Sequence, residues 1–420
     1  MNKTRHRKLE RVKGNVLIVG VDVARSAHVA ALRLPLGEVT KILSFTNDLS
    51  GFQRLAQEVQ QHCEKYNLRG AILGIEPTGH YWEALAYWWE DHYGTVVLVN
   101  PMHTKRAKEL EDNSPLKSDP KDARVVADLV AQGKYLECHL PRGVFAELRN
   151  LVSQRDRCQN QRTQVINQLH QSVDRIFPEL TNEFSSIRVK SYRHLLANYP
   201  EPEHLATVPV GELTVLLRKW SRGYLGEQKA ERLIALAGRS VGVKEAASTI
   251  GAEVKRLTGQ LNLIEIERSN LESQIEHCLE RTPGAALLLT VPGFGLITVA
   301  GILANTGDLA EYEHPEEVLK LAGLNLFEIS SGKHRGKLRI SKRGRAPLRK
   351  ILYMAALRAA RRGSPFRQYY DRLMDRGVDS TASLVALMRK LLRVGWSLVR
   401  NSQVFDRQRL TQTQTHKQAA

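Results

Sequence analysis

The sequence has 420 residues, 42% of them hydrophobic, and its 62 lysines and arginines exceed its 44 acidic residues to give a formal net charge of +18. This length predicts two or three domains. No run of about eighteen apolar residues appears, which argues against a membrane span, and the basic N-terminus lacks the apolar core of a secretory signal. The four cysteines form no CxxC pair, so we expect a reduced cytosol and no structural zinc. The positive charge indicates a polyanionic partner.

The first part of the chain reads as an α/β unit that follows a basic arm at residues 1–14. "NVLIVGVDVA" (15–24), "AHVAALRLP" and "VTKILSFTN" predict three strands, and their short connections predict an antiparallel meander. We then expect a helix at 50–66 capped by Ser50, a strand at 71–79, a second helix and a fifth strand at 95–100. This order is typical of an RNase H-like fold.

Four acidic residues lie at positions where the predicted elements could bring their side chains together. Asp22 interrupts an apolar strand, where a charge is costly unless it is paired or bound to metal. Glu76 ends the fourth strand, and Asp119 and Asp122 open the helix of "LKSDPKDARVVADLV". If the four carboxylates converge, they suit Mg²⁺, and two such ions about 4 Å apart would clamp a phosphodiester. The alternative for the helix start is structural, because Asp119 is also a suitable N-cap and Asp122 a favourable first-turn acid.

The middle of the chain is predicted to be helical. Apolar residues recur at helical spacing from Val144 to Pro178 and from Lys244 to Arg281, which favours a helical hairpin or coiled coil. Residues 181–243 between them read as several short helices and carry no recognisable chemistry.

The last third contains a pattern of two apolar helices joined by a glycine-rich turn in "LTVPGFGLITVAGILANTGD" (289–308). It resembles a helix-hairpin-helix, in which Gly293 and Gly295 would let backbone N–H groups approach a DNA phosphate. A plain helical hairpin is the alternative.

A basic run follows at residues 331–350, where nine lysines or arginines occur without an acid. We expect these cations to contact phosphates, and the candidates are Lys333, Arg335, Lys337, Arg339, Lys342 and Arg343. Ser330 and Ser331 stand at a Gly turn at the start of this run. Serines in that position are usually turn residues, and no activating base is visible for a nucleophilic role.

Taken together, "GVDVA", "GIEPTGHYW", "KSDPKDARVVADL", the hairpin, "SSGKHRGKLRISKRG" and "LRKILYMAALRAAR" resemble, in their order, the DEDD transposases of an insertion-sequence family. These are Piv-invertase-like, bridge-RNA-guided recombinases. The resemblance implies a RuvC-like catalytic domain at 15–140, a helical coiled-coil region at 141–285 and a C-terminal transposase domain at 286–400. A polar tail at 401–420 is expected to be disordered.

The same resemblance implies a catalytic site made of Asp22, Glu76, Asp119 and Asp122 with Mg²⁺, and a nucleophilic serine at Ser331 or its neighbour Ser330. The serine would form a covalent link to DNA. The implied partners are donor and target DNA, a guiding noncoding RNA, and further copies of the chain in a homodimer or homotetramer. Two alternatives stay open: a RuvC-like nuclease that forms no covalent intermediate, which needs the acids alone, and a non-enzymatic nucleic-acid binder, which leaves Asp22 unexplained.

Overall fold

The computed structural model describes residues 3–13, 15–35, 37–112, 119–328 and 338–408. The chain divides into two compact units, Met1–Leu140 and Pro141–Ala420, called here the N-terminal and C-terminal units. Throughout these described ranges, no helix is long and apolar enough to cross a membrane. The expected combination of an α/β N-terminal part with a mainly helical remainder is confirmed.

In its described residues, the N-terminal unit contains one six-stranded mixed sheet and five helices. The strands are β1 (Leu17–Asp22), β2 (Ala27–Arg33), β3 (Val39–Thr46), β4 (Ala71–Ile75), β5 (Val96–Leu98) and β6 (Leu136–Glu137). The helices are α1 (Lys3–Lys13), α2 (Leu49–Lys65), α3 (Trp82–His92), α4 (Pro101–Asp112) and α5 (Asp119–Ala131).

The strands lie in the order β3-β2-β1-β4-β5-β6. The first three form the predicted antiparallel meander, β4 and β5 run parallel to β1, and the short β6 is antiparallel to β5. Since side chains alternate along a strand, β1 contributes side chains to two hydrophobic cores, one on each face of the sheet. Leu17, Val19 and Val21 pack with α2 and α3 on one face, and Ile18 packs with α5 on the other.

Local details differ from the sequence prediction at three places. Helix α2 is capped by Asp48, whose carboxylate accepts a hydrogen bond from Gly51 N at 2.8 Å, so the prediction of Ser50 as the cap was wrong. Ser50 instead donates to that carboxylate at 2.7 Å. The basic arm contains helix α1, and its Val12 is buried in the core beside α5. Helix α4 and strand β6 were not predicted.

The C-terminal unit is mainly helical. It comprises α6 (Gly143–Ile176), α7 (Lys190–Asn198), α8 (Pro202–Ala206), α9 (Val210–Ser221), α10 (Glu227–Gly238), α11 (Ala247–Glu280), α12 (Ala285–Leu289), α13 (Leu296–Thr306), α14 (Pro315–Leu321), α15 (Ala346–Ala359), α16 (Arg367–Asp375) and α17 (Ser380–Arg400), with a two-stranded ribbon of β7 (Leu326–Phe327) and β8 (Arg339–Ile340).

The two long predicted helices, α6 and α11, pack against each other in an antiparallel pair. The partners across the pair run in opposite directions: Arg155 Nη2 lies 3.1 Å from Glu272 Oε1, and Arg162 Nε lies 2.7 Å from Glu265 Oε1. One end of the pair joins a core with α7 to α10, and the other end joins a core with α12 to α17. The segment between the long helices therefore has its own packed interior.

Candidate nucleic-acid processing site

Strand pairing places Asp22 and Glu76 side by side. Asp22 is the last residue of β1, and Val21 before it is paired in parallel register with Ile75, the last residue of β4. Glu76 directly follows Ile75. The two carboxylates therefore leave adjacent strands at the same edge of the sheet, and both side chains are half-buried.

Helix α5 brings the other two acids to this edge because it lies unusually close to β1. A Cβ atom built on Gly20 would stand only 2.4 Å from the carbonyl oxygen of Ala123 and from Ala127 N, so this close contact requires glycine. Asp119 lies one helical repeat before Ala123 on the same face. It therefore projects past the strand end toward Asp22, and Asp122 follows three residues later.

The electrostatics of Asp22 reveal this convergence. The pKa of Asp22 is raised from 3.8 to about 6, most strongly by burial and then by the negative charges of Asp122, Asp119 and Glu76, while the charge of Lys108 acts to lower it. The negative charge of each of the three predicted partners thus contributes to the raised pKa of Asp22. The four residues that the sequence spreads over a hundred positions are brought together.

Lys108 belongs to this acidic cluster, and the sequence prediction missed it. Its Nζ lies 2.5 Å from Asp122 Oδ2, with both side chains largely buried. The other carboxylate oxygen, Asp122 Oδ1, is buried without a hydrogen-bond partner. Lys108 comes from α4, a helix that was not predicted. The only signal in the sequence was a lysine-rich segment before the "KSDPKD" motif.

His28 is a second residue that the prediction missed. It is fully buried on β2, and its Nδ1 accepts a hydrogen bond from Ala24 N at 3.1 Å, in the turn that follows Asp22. Burial lowers the pKa of His28, so the ring is neutral and can accept. The contact holds the chain just beyond Asp22. An isolated histidine in a strand carries no motif that would reveal this role.

The cluster suits a divalent metal in residue type and charge. It offers only carboxylate oxygens, which hard cations prefer, and one of them, Asp122 Oδ1, is buried and unsatisfied. In the side-chain arrangement of the described residues, no three acidic, histidine or cysteine side chains form a group that could hold a metal ion as they stand. Lys108 provides the compensating positive charge at Asp122 in this arrangement.

The predicted glycine turn lies between α12 and α13 in the C-terminal unit. Gly293 has a φ of +96°, a left-handed conformation that favours glycine, and it lies against Ala355 and Ala359 of α15. Phe294 fills the core, while Gly295 is exposed at the start of α13. Arg358 reaches the same helix start and donates to Thr298 Oγ1 at 3.2 Å. A cation therefore accompanies the exposed N-terminus of α13.

The predicted cations lie on and around the β7–β8 ribbon, where the structure describes them. Arg339 in β8 and Lys342 and Arg343 after it are exposed. The base of the ribbon is held by Arg349, whose Nη1 donates to Ala322 O at 3.1 Å and to Gly344 O at 3.0 Å. The remaining predicted residues lie outside the described residues: Ser330, Ser331, Lys333, Arg335 and Lys337.

Two family models match the chain. A model described as "Transposase" for DEDD enzymes of IS110 matches residues 19–178, a range that contains all four acids. A second, described as "Transposase IS116/IS110/IS902 family", matches residues 285–371, which contain the glycine turn, the ribbon and both serines.

Relatives of similar length support the same assignment. The chain is 26% identical over 395 residues to the "Insertion element IS116 uncharacterized 44.8 kDa protein" of Streptomyces clavuligerus, covering 92% of this chain and 95% of that protein. It is 24% identical over 396 residues to the "Pilin gene-inverting protein" of Moraxella bovis, covering 93% and 97%. An IS900 protein of Mycobacterium paratuberculosis is 27% identical over 291 residues, covering 69% and 73%. The chain belongs to the transposase family of the insertion elements IS110, IS116 and IS902.

Proposed function

We propose that this transposase cuts and rejoins DNA strands at the donor and target sites of its element, with the four carboxylates as a Mg²⁺ site. The observation that carries the proposal is geometric: Val21 pairs with Ile75 immediately before Asp22 and Glu76, and α5, which begins with Asp119 and Asp122, packs directly on Gly20 of β1. Acids that serve only as caps or strand-end turns have no reason to converge. Structural acids usually stay apart, because like charges repel.

The strand order supports an RNase H-like, RuvC-like reading of residues 15–140. A meander of β3, β2 and β1 continued by parallel β4 and β5 is the order expected for that fold. In this reading Asp22, Glu76, Asp119 and Asp122 hold the metal. When bound, Mg²⁺ would supply positive charge at the scissile phosphate. Residues 141–285 form the helical region and 286–400 the transposase domain.

The protein's own residues prepare this site before any DNA arrives. The neutral ring of His28 fixes the turn after Asp22, and Gly20 sets the distance of α5 from β1. Lys108 holds Asp122 in one orientation and offsets part of the negative charge. Such preorganisation lowers the cost of assembling like charges around a substrate.

We further propose a covalent intermediate at Ser331, with Ser330 as the rival position. The serine oxygen would form a bond to phosphorus while one strand oxygen leaves, and the leaving oxygen would take up the proton that the hydroxyl loses. A strand end would later attack the phosphoserine and release the serine. The match of residues 285–371 to the family and the cations around this turn support the assignment.

The same family membership supports the remaining partners. A structured noncoding RNA would pair with donor and target DNA, and several copies of the chain would act together as a dimer or tetramer. The Moraxella relative is named for inverting a gene, which requires cutting and rejoining DNA. The turn at Gly293 and Gly295, which we read as a helix-hairpin-helix, would bind the DNA backbone beside Arg358.

The test is a denaturing gel of labelled DNA incubated with protein, RNA and Mg²⁺, with and without protease. We expect wild type to give a protease-sensitive shifted band, and Ser331→Ala to lose it while retaining RNA binding. Asp22→Asn should abolish strand cleavage and leave RNA binding largely intact. Loss in Ser330→Ala alone would move the nucleophile by one residue.

Other outcomes of the same gel favour the alternatives. Cleavage by wild type without any shifted band would indicate a nuclease that forms no covalent intermediate. Recombination by both serine variants at the wild-type rate would refute the serine mechanism.

A further inference from the structure

Aromatic and basic side chains meet at a cavity among the helices between α6 and α11, where the sequence carried no recognisable motif. The cavity has a volume of about 520 Å³ and opens between the segment after α6, the start of α7 and the turn after α9. This volume lies in the range of about 300–1,000 Å³ that is usual for ligand pockets. The lining combines three aromatic rings with two cations: Phe184, Trp220, Tyr224, Lys190 and Arg222.

The cations of this lining are not balanced by its acid. The one carboxylate that lines the cavity, Glu183, is only 5% exposed and is paired with two cations outside the lining. Lys229 Nζ lies 2.8 Å from its Oε2, and Arg232 Nη2 lies 2.8 Å from its Oε1. Within the described ranges of the chain, neither Lys190 nor Arg222 forms an ion pair. Their charges are therefore available to an anionic ligand.

Two of the aromatic rings offer a surface for stacking. Tyr224 is 93% exposed, and its ring contacts no other ring among the described residues. Trp220 stacks on His194, with ring centroids 5.5 Å apart and planes inclined by 13°. His194 does not line the cavity, so it leaves the cavity side of the indole uncovered. A planar ligand could therefore lie against both Trp220 and Tyr224.

The turn that carries Arg222 and Tyr224 has a defined backbone conformation. Arg222 ends α9 with a φ of +56°, and Gly223 follows with a φ of +87°. Leu225 N donates a hydrogen bond to Ser221 Oγ at 2.7 Å, which closes the turn. The left-handed region disfavours any residue with a Cβ, and helices usually place glycine there. An arginine at this position therefore costs conformational energy that a purely structural helix end would avoid.

We propose that this cavity binds an unpaired nucleotide of a single-stranded nucleic acid. The base would stack on Trp220 and Tyr224, and the flanking phosphates would accept hydrogen bonds from Lys190 and Arg222. Aromatic platforms beside a basic groove hold single strands in this way, whereas the bases of a duplex are already stacked on one another. The site goes beyond the proposed strand-cutting chemistry and needs neither the four acids nor the serine.

The experiment measures the affinity of the full-length protein for short unstructured RNA and DNA strands and for a duplex of the same length. Fluorescence anisotropy in EDTA excludes any metal-dependent cleavage. Tyr224→Ala removes the exposed ring, and Tyr224→Phe is the matched control because it keeps the ring and loses only the hydroxyl. Arg222→Gly removes a charge at a position whose backbone suits glycine, so the helix end should stay folded. Lys255→Met, an exposed change on α11 outside the lining, is the control for loss of charge.

Tyr224→Ala should weaken strand binding by about 5- to 150-fold, which is the usual effect of losing one stacked ring, and should leave duplex affinity unchanged. Tyr224→Phe should bind like wild type. Arg222→Gly should lower the slope of log strand affinity against log salt by about 0.7, and Lys255→Met should leave it unchanged. The same titrations rank RNA against DNA, and Tyr224→Ala should weaken whichever strand binds. Wild-type strand affinity in Tyr224→Ala together with a wild-type slope in Arg222→Gly would overturn the proposal, whatever a cleavage assay shows.

Discussion

Replacing Asp22 with asparagine should stabilise the metal-free protein while it abolishes strand cleavage. The pKa of Asp22 is raised to about 6 from 3.8, so the folded state holds this proton more tightly than the unfolded chain does. As pH rises from 3.8 to about 6, the folded state therefore loses stability, and the loss is complete above that range. Asparagine keeps the shape of the side chain and removes the charge.

The size of the effect follows from the shift. Each pKa unit corresponds to about 1.4 kcal/mol, so the full shift would change the free energy of unfolding by about 3 kcal/mol. Because Asp22 is half-buried and water screens its charge, we reduce the expected gain to about 1–2 kcal/mol. Asp22→Asn should show this gain at neutral pH and none below pH 3.8, where the wild-type carboxyl is protonated in both states.

Urea unfolding in EDTA, followed by tryptophan fluorescence, measures the change. Helix α3 carries Trp82, Trp88 and Trp89, three of the five tryptophans, so the signal reports strongly on the N-terminal unit. Asp48→Asn is the control with the opposite expectation. Its pKa is lowered by the hydrogen bond from Gly51 N, so the same chemical change should give no gain there. An Asp22→Asn variant that is less stable than wild type at neutral pH, or equally stabilised at low pH, would refute the reasoning.

Four further predictions concern the site and its surroundings. Asp119→Asn should abolish strand cleavage in a labelled-DNA assay with folding intact, since Asp119 is the exposed first residue of α5, and full activity would reduce Asp119 to an acid of the helix start. Lys108→Met should destabilise the metal-free protein by about 1–3 kcal/mol in urea unfolding because Asp122 loses its partner, and unchanged stability would show that the ion pair is unimportant. Gly20→Val should destabilise by about 3 kcal/mol because backbone blocks its Cβ, whereas Gly211→Val, in open space, should avoid this clash. Neutralising four cations of the basic run together should lower the slope of log duplex affinity against log salt by about 0.9 for each lost phosphate contact. The four are Lys333, Arg335, Lys337 and Arg339. An unchanged slope would show that the run is only a solvated surface.

The local patterns of the chain were sufficient to predict most of its longer elements, although not helix α4. Apolar, β-branched runs marked all five of the longer strands, and helical spacing marked α6 and α11 to within a few residues. These features depend on neighbouring residues, so they can be read from a short window. The same windows placed Asp22 inside the first strand, which the structure ends at Asp22, and Asp119 at a helix start, and chain order suggested that they would meet.

Tertiary packing decided how the acids meet and what surrounds them. The approach of α5 depends on Gly20 facing a helix a hundred residues away, and the raised pKa of Asp22 exists only once those charges lie together. Lys108 pairs with Asp122 because α4 and α5 pack side by side. Contacts between distant residues leave no periodic trace in the chain, so only the folded structure reveals them.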